Sequence, residues 1–150
     1  MSFYNILLFI HILAAILGIG PGFVLTFMIT NAKTMTELRH GFKLRHRIHL
    51  FVMVGATLLF ITGLIMGFIN PNLFKQGWYL LSIFLFLVVM AAGPLALKPI
   101  TDPIKKMLRE HSTEEIPRDY ELQFKKLYRL EHVTNLIILT IIILMILKPF

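Results

Sequence analysis

Two groups of side chains in this sequence have types and spacings that could do chemistry. The first is one histidine, His11, set in the apolar run ILLFIHILAAILGIGPGFVL of residues 6–25. An ionisable ring inside so apolar a segment is a functional candidate by default, because lipid offers it no water. In an antiparallel bundle a similar depth is reached by Met66, Ser82 and Met145. Histidine with methionine is an axial pair for haem iron, and the same two donors suit copper. The plain alternative is a neutral ring hydrogen-bonded inside a core, with Met66 and Met145 filling gaps.

The second group is HRIH, residues 46–49. On a helix His46 and His49 are three apart and share a face. His132 arrives at about the same depth from the other end of the chain, with His40 one or two turns away. Two histidines from one span and one from another suit a metal ion or a haem pair. Arg45 and Arg47 would then hold propionates, as they would any carboxylate or phosphate. The plain alternative is snorkelling of these side chains to lipid headgroups. His11 and His49 differ in depth by about 25 Å at a helical rise of about 1.5 Å per residue, so one haem cannot bridge them. No nucleophile–base pair, paired buried carboxylates, phosphate loop or zinc-protease motif is legible, and a hydrolase has no support.

The elements that must position these residues are long helices. The chain is 57% hydrophobic and 15% charged over 150 residues, far from the average for a soluble domain. Four apolar runs, at about 6–29, 48–69, 78–97 and 131–147, are long enough to cross a bilayer. Backbone satisfaction in lipid requires them to be helical. The expectation is therefore an all-α polytopic membrane protein, an antiparallel bundle of four transmembrane helices forming one domain. The first run lacks the basic start and cleavage site of a signal peptide.

The net charge of +7 is patterned. Thirteen of the fifteen Lys and Arg fall at 33–47 and 98–129, leaving only Lys75 and Lys148 elsewhere. With four spans both basic segments lie on one side, which the positive-inside rule makes cytoplasmic, with both termini outside. The basic loops favour anionic lipid over nucleic acid. Residues 103–130 read as an amphipathic segment along the cytoplasmic leaflet, with Tyr120, Phe124 and Leu127 on one face. Thr36 before Glu37 reads as a helix N-cap, as does Asp102 before Pro103. Trp78 and Tyr79 read as an interfacial belt. Gly18 with Gly22, and Gly63 with Gly67, read as close-approach faces, and Pro21 as a bend. Asn135 is expected to hydrogen-bond to another helix. The absence of cysteine excludes disulfides and thiolate ligation by this chain.

The stretch LLFIHILAAILGIGPGF resembles the first span of several small bacterial membrane families: HemJ-type protoporphyrinogen oxidases, the CopD copper-resistance domain, and an uncharacterised family of predicted four-helix integral membrane proteins. The Gly77-Trp78 opening of the third span and the terminus LIILTIIILMILKPF carry the same resemblance. It implies a haem b ligand at His11 and, if the protein is an enzyme, a membrane oxidoreductase. Ser82 stands where the HemJ-type enzymes carry a lysine, so the uncharacterised family is the better match. The expected function is a haem-b-binding, redox-associated protein of a bacterial cytoplasmic membrane. The alternatives are a copper-type metal transporter and a non-catalytic accessory subunit of a larger complex or homo-oligomer.

Overall fold

A computed structural model describes residues 2–150. It contains four helices long and apolar enough to cross a membrane: α1 (Phe3–Thr30), α2 (Met35–Ile69), α3 (Gly77–Glu110) and α4 (Arg118–Leu147). No strand occurs among the described residues. The all-α, four-span reading therefore holds. Many large apolar side chains on the bundle exterior are exposed, Phe27, Phe51, Phe84 and Ile146 among them. Lipid is the solvent that such a surface requires.

Helices α1 and α2 pack closely through paired glycines. A Cβ placed on Gly18 would stand 2.6 Å from the Gly55 Cα, which leaves room only for backbone against backbone. The other expected glycine faces differ. Gly22 has only Val52 near it, at 3.9 Å, while Gly63 and Gly67 accommodate side chains. Ala14, Ile19, Leu59, Phe86 and Ile141 bring all four helices into one apolar core.

Pro21 is absorbed by rewinding rather than by a simple kink. Residues Ala15–Ile19 are π-wound. The chain then tightens, with Phe23 N–H donating to Gly20 at 3.2 Å and Val24 N–H to Pro21 at 3.2 Å. A π-turn and a run of i→i−3 bonds are standard ways to accommodate a missing donor. Helix α3 uses the same device. Gly93–Leu97 is π-wound around Pro94, and the helix continues as Lys98–Glu110. Asp102 and Pro103 thus lie inside a helix and do not cap a new one. Pro103 lacks the N–H that would bond the Pro99 carbonyl, which costs one ladder bond and no break.

The expected cap at Thr36 also moves. Thr34 is the N-cap of α2, accepting from the Glu37 N–H at 3.2 Å. Trp78 and Tyr79 are not an interfacial belt. They are 7% and 3% exposed and pack with Leu144. The Trp78 N–H donates to the Phe150 carbonyl at 3.0 Å, and Lys148 lies 5.6 Å over the indole.

The end of the bundle that carries the 31–34 and 111–117 connections holds the basic residues. Here Tyr120 and Leu127 are buried with Ile29, Met35, Leu38, Phe42, Ile104 and Leu108. The apolar face of the 118–130 segment covers the protein's own core instead of lying flat on a leaflet. Helix α4 is unbroken from Arg118, so this segment stands up from the span as its extension. Arg39 donates from Nε to the Leu108 carbonyl at 2.8 Å and also to the His111 carbonyl, capping the end of α3. Glu114 accepts from the Thr36 hydroxyl at 2.7 Å and the Thr36 N–H at 3.2 Å. These two bonds hold its carboxyl below the ordinary carboxylate range.

Candidate functional site

His11 sits on α1, half-buried against α2. Its Nδ1 lies 2.8 Å from the Thr62 hydroxyl oxygen. Thr62 is 5% exposed, and its own proton goes back along α2 to the Leu58 carbonyl at 2.7 Å. A threonine hydroxyl has one proton to give. With that proton on Leu58 it accepts from His11, and in that tautomer the ring carries its proton on Nδ1 and its lone pair on Nε2. Gly63 makes room for the ring, since a Cβ there would stand 3.2 Å from His11 Cε1. From the other side the Tyr79 hydroxyl of α3 donates to the Gly63 carbonyl at 2.8 Å.

A histidine whose Nδ1–H is held by the protein presents Nε2 as a ligand, the usual arrangement behind metal-bound imidazole. Met66 is buried on α2 four residues from Thr62 and so on the same face. These are the imidazole nitrogen and the thioether that the sequence pairs as donors for haem b. The rest of the expected group behaves differently. The Ser82 hydroxyl is spent on its own helix, at 2.7 Å from the Trp78 carbonyl. Met145 packs half-buried between two apolar clusters. The rewound segment begins at Ala15, one turn beyond His11.

What that segment positions is Thr26, at the basic end. The Thr26 hydroxyl donates to Glu131 of α4, and Glu131 is ion-paired with Arg45 of α2. Thr26 and Glu131 are 7% and 8% exposed. Phe42 lies 6.0 Å below the guanidinium. Arg45 Nε and the Tyr120 hydroxyl are buried without hydrogen-bond partners among the described residues. Three helices are thus joined by one carboxylate.

This arrangement replaces the histidine cluster expected there. Among the described residues no three His, Cys, Asp or Glu side chains are gathered so as to hold a metal ion. His49 is half-buried one turn from Arg45, while His46 and Arg47 are exposed. His132 is exposed too, edge-on to Tyr128 at 4.1 Å between ring centroids. The reason is angular. Neighbouring helix positions point about 100° apart, so when Glu131 takes the inward position His132 is turned out, and Arg45 does the same to His46. Arg45 is accordingly held by Glu131 and is not free for a propionate. His11, near the other end, cannot join His46 and His49 in a metal site. Asn135 is half-buried and makes no side-chain hydrogen bond among the described residues.

Thr26 and Thr62 carry no sequence signal, because threonine is ordinary in membrane helices, and Tyr79 signals only an interfacial aromatic. Glu131 does carry one. It is the only acid at the mouth of any apolar run, and such a carboxylate needs a cation from a neighbouring helix.

No curated protein and no solved structure matches this chain. The match to a protein family is nearly full length: residues 5–149 fit the family described as predicted integral membrane protein (DUF2269). The chain belongs to that family, and it is an integral membrane protein built on four spans.

Proposed function

We propose that this chain is a redox-associated membrane protein in which His11 supplies an axial nitrogen to haem b. The observation that carries the reading is the Thr62 hydroxyl 2.8 Å from His11 Nδ1. With the Thr62 proton on the Leu58 carbonyl, this contact favours the tautomer that leaves the Nε2 lone pair for a metal. Gly63 provides the space that the ring needs, and Met66 is the second donor of this reading. Haem, when bound, supplies one-electron redox chemistry. The chain's own residues orient the imidazole, raise its basicity through the Thr62 bond and keep the surroundings apolar. On this reading the chain lies in a bacterial cytoplasmic membrane with its basic end inside, as the distribution of Lys and Arg favours.

The test is a titration of detergent-purified protein with haemin, followed at the Soret band. Wild type should bind stoichiometrically, and His11→Ala should lose that band. Equal binding by wild type and His11→Ala, or none by either, would remove His11 as the ligand.

A further inference from the structure

A second surface feature is independent of His11. Beside Thr30 of α1, the first half of α4 forms one wall of a cleft of about 580 Å³. Its lining along α4 is ordered. From Phe124 and Lys125 it runs through Tyr128, Arg129 and His132 to Val133 and Leu136. These positions repeat at three or four residues and so form one stripe. From Lys125 to Leu136 the stripe is about 16 Å long at the helical rise. Basic groups stand at the basic end of the bundle, and apolar groups follow towards its middle. No acid lines the cleft. The nearest in sequence, Glu131, is turned inward and neutralised by Arg45.

We propose that this cleft binds one acidic phospholipid. Its phosphate would sit on Lys125 and Arg129, with His132 as a further donor, and the upper acyl chain would lie along Val133 and Leu136. Three features select this occupant. The charge is complementary to a phosphate, which Arg and Lys bind well. The polar-to-apolar order matches a headgroup followed by a chain entering the bilayer. The elongated stripe, 49% and 64% exposed at Val133 and Leu136, suits a chain rather than a small soluble anion, for which an apolar wall has no use.

The experiment is native mass spectrometry of the full-length protein released from bilayers of phosphatidylcholine mixed with phosphatidylglycerol. The wild type should retain one phosphatidylglycerol in preference to phosphatidylcholine. Lys125→Gln/Arg129→Gln should lose about thirtyfold of that preference, from about 1 kcal/mol for each basic residue. Lys105→Gln/Lys106→Gln, an equally basic pair that does not line the cleft, should keep it. Leu136→Asn should weaken retention of phosphatidylglycerol without a change of charge. Equal retention of the two lipids by wild type would overturn the proposal. So would an equal loss in the Lys105/Lys106 variant, which would mean a diffuse surface field. Displacement of the lipid by millimolar inorganic phosphate, with Leu136→Asn unaffected, would make this a soluble-anion site and overturn the lipid assignment.

Discussion

At the scale of single residues, the fate of each polar side chain depends on one partner. His11 is a ligand candidate because its Nδ1 is hydrogen-bonded to the Thr62 hydroxyl, which leaves Nε2 for a ligand. Thr62→Val removes the acceptor while nearly preserving shape, and should weaken haem affinity about 10–100-fold, as loss of an outer-shell partner usually does. Thr62→Ser should retain most of it. The check is the same Soret titration, and unchanged affinity in the valine variant would mean that the hydroxyl does not orient the ring. Glu114 makes a separate prediction. Its carboxyl is held below the ordinary value of 4.5 by Thr36. A group whose folded pKa is depressed stabilises the fold above its unfolded pKa, and that contribution fades as pH falls through the folded value. Wild type should therefore be the more stable of the two near neutrality, and its advantage over Glu114→Gln should shrink as the pH falls below 4.5 until the acid melting curves converge. His11 stands out in the sequence because it interrupts an apolar run. Thr62 does not, because a hydroxyl that bonds its own helix looks the same in sequence as one that also holds a ring.

At the scale of elements, paired glycines and one ion pair are the helix contacts most open to test. Gly18→Ala and Gly55→Ala each place a Cβ on the facing backbone, which cannot step aside as a side chain would. Both should lower the thermal midpoint in detergent. Gly20→Ala, with nothing within 4 Å of its added Cβ, should be neutral or slightly stabilising, as Ala is the better helix former. Equal effects at all three positions would contradict the close approach of α1 and α2. The Arg45–Glu131 pair makes a sharper prediction. Glu131→Leu or Arg45→Leu alone strands a buried charge and should cost about 3–5 kcal/mol. The double variant should recover much of that loss, since replacing both members of such a pair is often close to neutral. A double-mutant cycle on unfolding would read this directly, and simple additivity would show that the two groups do not meet. Helix positions were legible from hydropathy, but helix facing was less so. The rule that three-apart histidines share a face relates His46 to His49 on their own helix. It does not say which face is turned inward, and packing at Arg45 and Glu131 decided that.

At the scale of the whole molecule, apolar run length specified four spans, because lipid permits little else. The helices of the basic end were legible, including the one that runs from Pro117 into the last span, but their packing was not. The segment after α3 carries amphipathic periodicity that suits a leaflet and a protein core equally well. The core won, because Ile29, Met35, Leu38 and Phe42 from α1 and α2 offer it a dry surface, and Arg39 and Glu114 tie the connections together. The irregular part of α1 belongs to the same end, where it delivers Thr26 to Glu131. The molecule thus has an ion-paired basic end and a more apolar half that carries His11. The most direct measurement of the account is a dithionite-reduced minus oxidised absorption spectrum of the protein purified from cells, for wild type and His11→Ala. The account predicts a haem b spectrum in wild type that is absent from a folded His11→Ala variant. A colourless wild type, even after growth with added haem precursor, would contradict it.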